Sequence, residues 1–368
     1  ETPVITLFGK TWELHSEKGL GLNEYENAQL IEKSISFLVK EGKRVIFDAE
    51  HFFDGYKASP SFALSMLEAA QRGGADTLVL CDTNGGSLPG FIKNATDKVA
   101  RKYNTRVGIH VHNDGGLATA NTLAAVEAGV THVQGTINGV GERCGNANLG
   151  IIIPNLILKM DYETQSKINL ENLTHLTHFV YGSMNRHPDD QAPYVGKSAF
   201  AHKGGIHVSA VMKDSRMYEH IDPKVIGNHQ RVLISDLAGQ SNIRFKADEL
   251  NVALNGDNKL TKDIVLHIKS LEHEGYQFEG AEASFELMLL ERKGAFTPFF
   301  DVMSSRVNVN YDHSGHNKAD AMLKVVVDGE VEQTAADGVG PVDALNNALK
   351  KALIRFYPQM NELKLTDY

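Results

Sequence analysis

The run "RVGIHVHND" (106–114) sets two histidines, His110 and His112, two positions apart at the end of a strand-like segment. In an extended chain, residues i and i+2 share a face. Both imidazoles therefore point to one side, and Val107, Ile109 and Val111 point to the other. Convergent imidazoles suit zinc, manganese or iron, and harder cations where oxygen ligands complete the shell. Two ligands do not make a site, so other segments must contribute. "NGVGERCGN" (138–146) offers Glu142, Arg143 and the amide oxygen of Asn146, among glycines that let backbone approach a ligand. In "DAEHFFDGY" (48–56), Glu50 and His51 end a strand; in "LCDTNGG" (80–86), Thr83 offers a hydroxyl to a carboxylate. "AFAHKGGIHVSAV" (199–211) carries His202 and His207 in a stretch read as a loop that reaches over something. Each motif alone also has a purely structural reading: a polar strand end, a glycine turn with a surface ion pair, a cap supplied by Asp82, a loop histidine that packs.

These motifs share a place in the pattern. Between residues 4 and about 160, short apolar runs alternate with helical periodicity: "VITLF", "RVIFDAE", "TLVLCDT", "RVGIHVHND" and "THVQGTI", each followed by a helix. Apolar strands alternating with helices predict a parallel sheet covered on both faces. Polar residues gather just after each strand, where barrel and open α/β enzymes keep their sites. Five strand-helix units are counted and a closed barrel needs eight. The expectation is either an open sheet or a barrel whose other three units precede residue 1. The opening "ETPVITLFGK" enters a strand at once and reads as a chain that starts inside a domain. The predicted organisation is a partial (β/α)8 barrel over 1–163, helical linker subdomains with a capping loop over 164–292, and an α+β domain over 293–368. In the last, "AMLKVVVDGEVEQTAADG" predicts two strands joined by a turn at Asp328-Gly329.

The chain has 368 residues and a formal net charge of −9, which disfavours a nucleic-acid partner. No apolar run is long enough for a membrane span and no signal peptide is visible, so a cytoplasmic protein is expected. Cys81 and Cys144, with no CxxC, fit neither a disulfide framework nor a cysteine-rich zinc module.

Taken together, "HVHND", "GVGERCGN", "DAEHFFDGY" and "CDTNGG" resemble the Claisen-condensing acyltransferases: the isopropylmalate, homocitrate and citramalate synthases of the DRE-TIM metallolyase superfamily. "ITLFGKTWELH" with "AEHFFDGYK" looks closest to the citramalate branch, and "DGVGPVDALNNAL" (337–349) is similar to the family's regulatory domain. The resemblance covers essentially the whole chain.

It implies a divalent metal ion (Mg, Mn or Zn) held by His110, His112 and Asn146, and condensation of acetyl-CoA with a 2-oxo acid, most simply pyruvate. Glu142 and Arg143 match the motif behind the metal, Glu142 being given a catalytic role and Arg143 a substrate-binding one. Thr83 and Glu50 match substrate-facing positions, Thr83 at the oxo-acid carboxylate. His207 matches a histidine of acid/base work, and Tyr218 a tyrosine that reaches the site; in the family both come from the partner subunit of a domain-swapped homodimer. The regulatory domain implies a feedback amino acid, isoleucine first. One departure stands out: the family's first barrel strand carries an Asp ligand and an Arg in a motif resembling LRDG, which this chain lacks. The fourth ligand is then expected on a segment before residue 1 or on another polypeptide. Rival readings are an isopropylmalate synthase, a lyase of the same superfamily, and a non-catalytic fragment that dimerises and binds an effector.

Overall fold

The computed structural model describes residues 2–234, 238–278, 280–311 and 317–364. These form two compact units, residues 1–233 and 234–368.

The first unit is built on a five-stranded parallel sheet in the order β1-β2-β3-β4-β5: Val4–Lys10, Arg44–Glu50, Thr77–Asp82, Arg106–Val111 and His132–Gln134. The crossovers are α1 (Glu13–His15, one turn) and α2 (Glu24–Lys40), α3 (Phe52–Ala58) and α4 (Pro60–Gly73), α5 (Pro89–Lys102), and α6 (Ala118–Glu127), with α7 (Leu149–Leu158) after β5. Local chemistry sets their ends. Asn23 and Glu26 close a capping box on α2, with reciprocal bonds of 3.0 Å. Pro60 and Pro89 sit in the first turns of α4 and α5, where a missing N–H costs nothing. Gly74 ends α4 at φ 94°, a conformation that favours glycine.

Alternation along the strands divides the side chains. Val45, Phe47, Ala49, Leu78, Leu80, Val107, Ile109 and Val111 pack under the helices in the main core. The opposite face carries Asp48 and Glu50 on β2, Cys81 on β3, His110 on β4 and Gln134 on β5; His110 pairs in register with both Cys81 and Gln134. That face is concave. A flat sheet would hold β2 and β5, three spacings apart, at roughly 14 Å. Yet Gln134 Nε2 donates directly to Asp48 Oδ1 at 2.9 Å. The sheet therefore curls toward its polar face, as a barrel wall does.

Beyond α7, α8 (Leu173–Ser183) packs with a small core of Leu170, Leu173, Tyr194, Val195, Phe200 and Ile226. The stretch expected to be a loop at 199–211 is ordered instead. Ala201–His202 (β6) pairs with Arg231–Val232 (β7), and Gly205–Val211 forms the short helix α9.

The second unit contains helices α10 (Gln240–Glu249), α11 (Asn258–His273) and α12 (Glu282–Arg292) around Ile243, Ile264, Ile268, Phe285 and Leu289. It also contains an antiparallel sheet in the order β10-β9-β8, from Asp301–Tyr311 (β8), Asn317–Val327 (β9) and Glu330–Gly338 (β10), with α13 (Pro341–Leu353) on one face. The expected turn joins β9 to β10, with Asp328 and Gly329 at φ 49° and 82°. No helix among the described residues is long and apolar enough to cross a membrane.

Candidate active site

The strand ends of the first unit assemble the polar motifs into one cluster. At the end of β4 the rings of His110 and His112 lie 5.3 Å apart, tilted by 49°. His110 Nδ1 is 2.8 Å from Gln134 Oε1, and Gln134 passes its Nε2 to Asp48. Burial raises the Asp48 carboxyl above its ordinary pKa, against the pull of the Gln134 bond and of His110.

Asn146 reaches His112 through backbone. The loop after β5 folds back so that His112 and Asn146 form an antiparallel bridge. Asn113 N donates to Gly145 O at 2.9 Å, Ala147 N to Val111 O at 2.9 Å, and Asn146 N to Gly139 O at 2.9 Å. Gly145 is required here. At φ 88° it meets Gly139 so closely that an added Cβ would lie 2.0 Å from the Gly139 oxygen.

Two atoms at this backbone bridge are buried with no hydrogen-bond partner: His112 Nδ1 and Asn146 Oδ1. Buried polar atoms are normally satisfied, and a cation is one way to satisfy both. Burial, then His110 and Arg143, lowers the His112 pKa and favours the neutral imidazole that binds metals. The donor set is two imidazoles and one amide oxygen. Among the described residues no group of three or more His, Cys, Asp or Glu has metal-holding geometry. The residues present fit a divalent ion as a partial ligand set.

Arg143 ties the loops together. Held at φ 55°, it grips Asp114 in a fork (Nε to Oδ1 2.7 Å, Nη2 to Oδ2 2.9 Å) and donates from Nη2 to the Thr83 carbonyl at 2.7 Å. Its hydrogen bond and charge hold Asp114 below the usual carboxylate range. Its neighbour Glu142 is exposed, 3.8 Å from Arg143 Nη1.

Thr83 follows β3, and its Oγ1 accepts the His51 N–H at 2.8 Å. The hydroxyl proton is thereby left to donate elsewhere. His51 sits at φ 58° with its ring stacked 4.0 Å from His15. Glu50 is ion-paired with Lys10. Asp82 acts as a cap, accepting from the Ser87 N–H and hydroxyl at 3.1 Å each.

His207 and Tyr218 meet each other: their rings stack at 4.3 Å. Behind them His202 Nε2 contacts Glu219 Oε1 at 2.9 Å, both residues being buried. No hydrogen bond, ion pair or ring contact among the described residues links His207 or Tyr218 to the strand-end cluster.

Sequence reasoning brought His110, His112 and Asn146 together and missed Asp48, Gln134 and Glu219. Asp48 had a readable signal, being the only polar residue between the charged ends, Arg44 and Glu50, of "RVIFDAE". Gln134 had none without the strand register.

The chain matches three family models: HMGL-like over residues 1–180, Homocitrate synthase post-HMGL domain-like over 194–276, and LeuA allosteric (dimerisation) domain over 279–368. It is 49% identical to the (R)-citramalate synthase of Synechocystis sp. over 99% of this chain and 69% of that protein. It is 48% identical to the (R)-citramalate synthase of Geobacter sulfurreducens, covering 100% of this chain and 70% of that one. To the (R)-citramalate synthase of Sulfolobus acidocaldarius it is 42% identical, again over 100% of this chain and 69% of the other.

Proposed function

The chain belongs to the citramalate synthase family, and from that premise we propose that it condenses acetyl-CoA with pyruvate to give citramalate and CoA. The observation that carries this is near-half identity along the whole chain to relatives of that one activity. The family is dependent on a divalent metal and uses acetyl-CoA as co-substrate.

In balance, a proton leaves the acetyl methyl group and the resulting carbon forms a bond to the keto carbon of pyruvate. The keto oxygen takes up a proton. Water then cleaves the thioester C–S bond, and CoA leaves as the thiol. A divalent ion held by His110, His112 and Asn146 would polarise the keto group as a Lewis acid; the two unpartnered atoms of the cluster support this ligand assignment. The Thr83 hydroxyl, whose oxygen already accepts from His51, is suited to donate to the pyruvate carboxylate. Glu50, paired with Lys10, ends the neighbouring strand β2. Arg143 serves the site by clamping three loops, and the exposed Glu142 beside it takes a catalytic role. His207 is the base for the methyl proton, with Tyr218 stacked on it to fix the imidazole plane.

The active assembly is a homodimer in which His207 and Tyr218 serve the partner's strand-end cluster; the family match to a dimerisation domain supports this reading. The C-terminal domain takes a feedback amino acid, isoleucine, through different affinities for two states of the dimer. The enzyme is cytoplasmic and works in branched-chain amino-acid synthesis.

The test is thiol release from acetyl-CoA by the protein in its encoded full length, with pyruvate, 2-oxoisovalerate and 2-oxoglutarate in turn. Pyruvate should give the highest kcat/KM. Preference for 2-oxoisovalerate would make it an isopropylmalate synthase, and no release with any oxo acid would favour a binding role.

A further inference from the structure

We propose that Gln134 and Asp48 are positioning residues that fix the tautomer and ring plane of His110 so that its Nε2 lone pair faces the metal. The inference rests on the reading of His110 as a metal ligand.

The argument begins at Asp48, on the polar face of β2. An aspartate carboxylate only accepts hydrogen bonds. The group 2.9 Å from its Oδ1 must therefore be the amide nitrogen of Gln134. This settles the orientation of an amide whose two ends otherwise look alike. The Gln134 oxygen then faces His110 Nδ1 at 2.8 Å, and an amide oxygen cannot donate. A proton must sit on Nδ1, and in the neutral ring that tautomer keeps the Nε2 lone pair for a cation. Each member is held by a different strand: Asp48 by β2, His110 by β4, Gln134 by β5. The direction set at one end thus reaches the other only because the sheet curls. His112 has no such orienter; its Nδ1 is unpartnered, and the backbone bridge to Asn146 locates it instead.

The readout is Mn2+ affinity of the metal-free full-length protein by titration calorimetry. Gln134→Leu should weaken Mn2+ roughly ten- to hundredfold with unchanged circular dichroism. Asp48→Leu should act in the same direction. Asp48→Asn, which still presents an oxygen to the Gln134 amide, should stay closer to the parent than Asp48→Leu does. Parent-like Mn2+ affinity in Gln134→Leu, with affinity lost in His110→Ala, would overturn the relay and leave the ligand assignment standing. Parent-like affinity in His110→Ala would overturn the ligand assignment and the relay with it. A second measurement needs no substitution in the relay: long-range 1H–15N spectra of the histidine-labelled parent, with His110 assigned by loss of its signals in His110→Gln. An Nδ1-protonated His110 is expected, and an Nε2-protonated one refutes the proposal.

Discussion

Single side chains in the cluster have two duties, and Thr83 shows how they separate. Its oxygen is taken by the His51 N–H, so only its proton is free for a substrate. Thr83→Val keeps the shape and removes both bonds. A hydrogen bond to a charged group contributes about 1.5–3 kcal/mol. The KM for pyruvate should therefore rise roughly ten- to hundredfold, while that for acetyl-CoA stays near its parent value. Initial-rate kinetics with each substrate varied in turn would show it, and equal rises in both constants would count against a carboxylate contact. The histidine pair was legible because a strand has period two, so the spacing of His110 and His112 already placed both on one face. The relay behind them was not. Asp48 and Gln134 lie 86 residues apart, and what joins them is the curvature of the sheet, which no local pattern encodes. Arg143 was read as a substrate ligand from its motif, whereas its fork on Asp114 depends on where the β4 loop ends.

At the scale of elements, the segment from β6 to the residues after α9 was read as loop because seven residues of helix are too few for periodicity to register. Its order rests on the buried contact between His202 and Glu219, which closes the stretch carrying both His207 and Tyr218. Glu219→Ala would leave His202 Nε2 buried without its acceptor, a loss of about 1–3 kcal/mol. Turnover should fall as the His207–Tyr218 stack loosens, and Glu219→Gln, which still accepts, should recover most of it. Turnover in Glu219→Ala equal to the parent's would show that the pair supports the fold alone. The alternating strands and helices were legible from β1 to α7, but the charge state of what lies between strands needed the structure. His132 on β5 has its pKa lowered by burial, then by Arg106 and Arg44, with Asp76 opposing them. Below an unfolded pKa of about 6.5 the unfolded chain takes up this proton before the folded one does. Folded stability should then fall as pH drops from about 6.5 toward the lowered folded value, and recover above it. Denaturation midpoints of the parent against His132→Leu, compared at pH 5.5 and pH 8, isolate this: the pH dependence should be weaker in the variant.

Across the whole molecule, the change of texture near residue 295 made the C-terminal α+β elements legible, and the turn at Asp328-Gly329 fixed the pairing of their last two strands. Which surface that domain leaves open was not legible, because it depends on widths. An α-helix is about 10 Å across and strands lie about 4.8 Å apart, so one helix covers about two strands. Here α13 packs with β9 and β10: Ala319, Ala321, Leu323 and Val325 are buried with Ala344 and Ala348. On β8, Val302, Val307 and Val309 pair with Val325, Ala321 and Ala319 and so share that apolar side. They are nonetheless 55%, 36% and 39% exposed. An apolar edge strand left uncovered invites pairing with another chain. The match to the LeuA allosteric (dimerisation) domain fits oligomerisation through this part of the chain, and the second copy of the proposed homodimer is taken as the cover. Val307→Glu with Val309→Glu puts four carboxylates into a symmetric contact that must exclude water, and each unpaired buried charge is costly. The dimer should weaken by roughly a hundredfold or more, about 3 kcal/mol. Light scattering coupled to size exclusion should show the mass halving while circular dichroism is retained. Because His207 and Tyr218 are proposed to serve the partner's metal cluster, turnover should fall with the dimer fraction as the protein is diluted. A monomeric variant that keeps full turnover would break the link between dimer and site; a variant that stays dimeric would move the interface to another face.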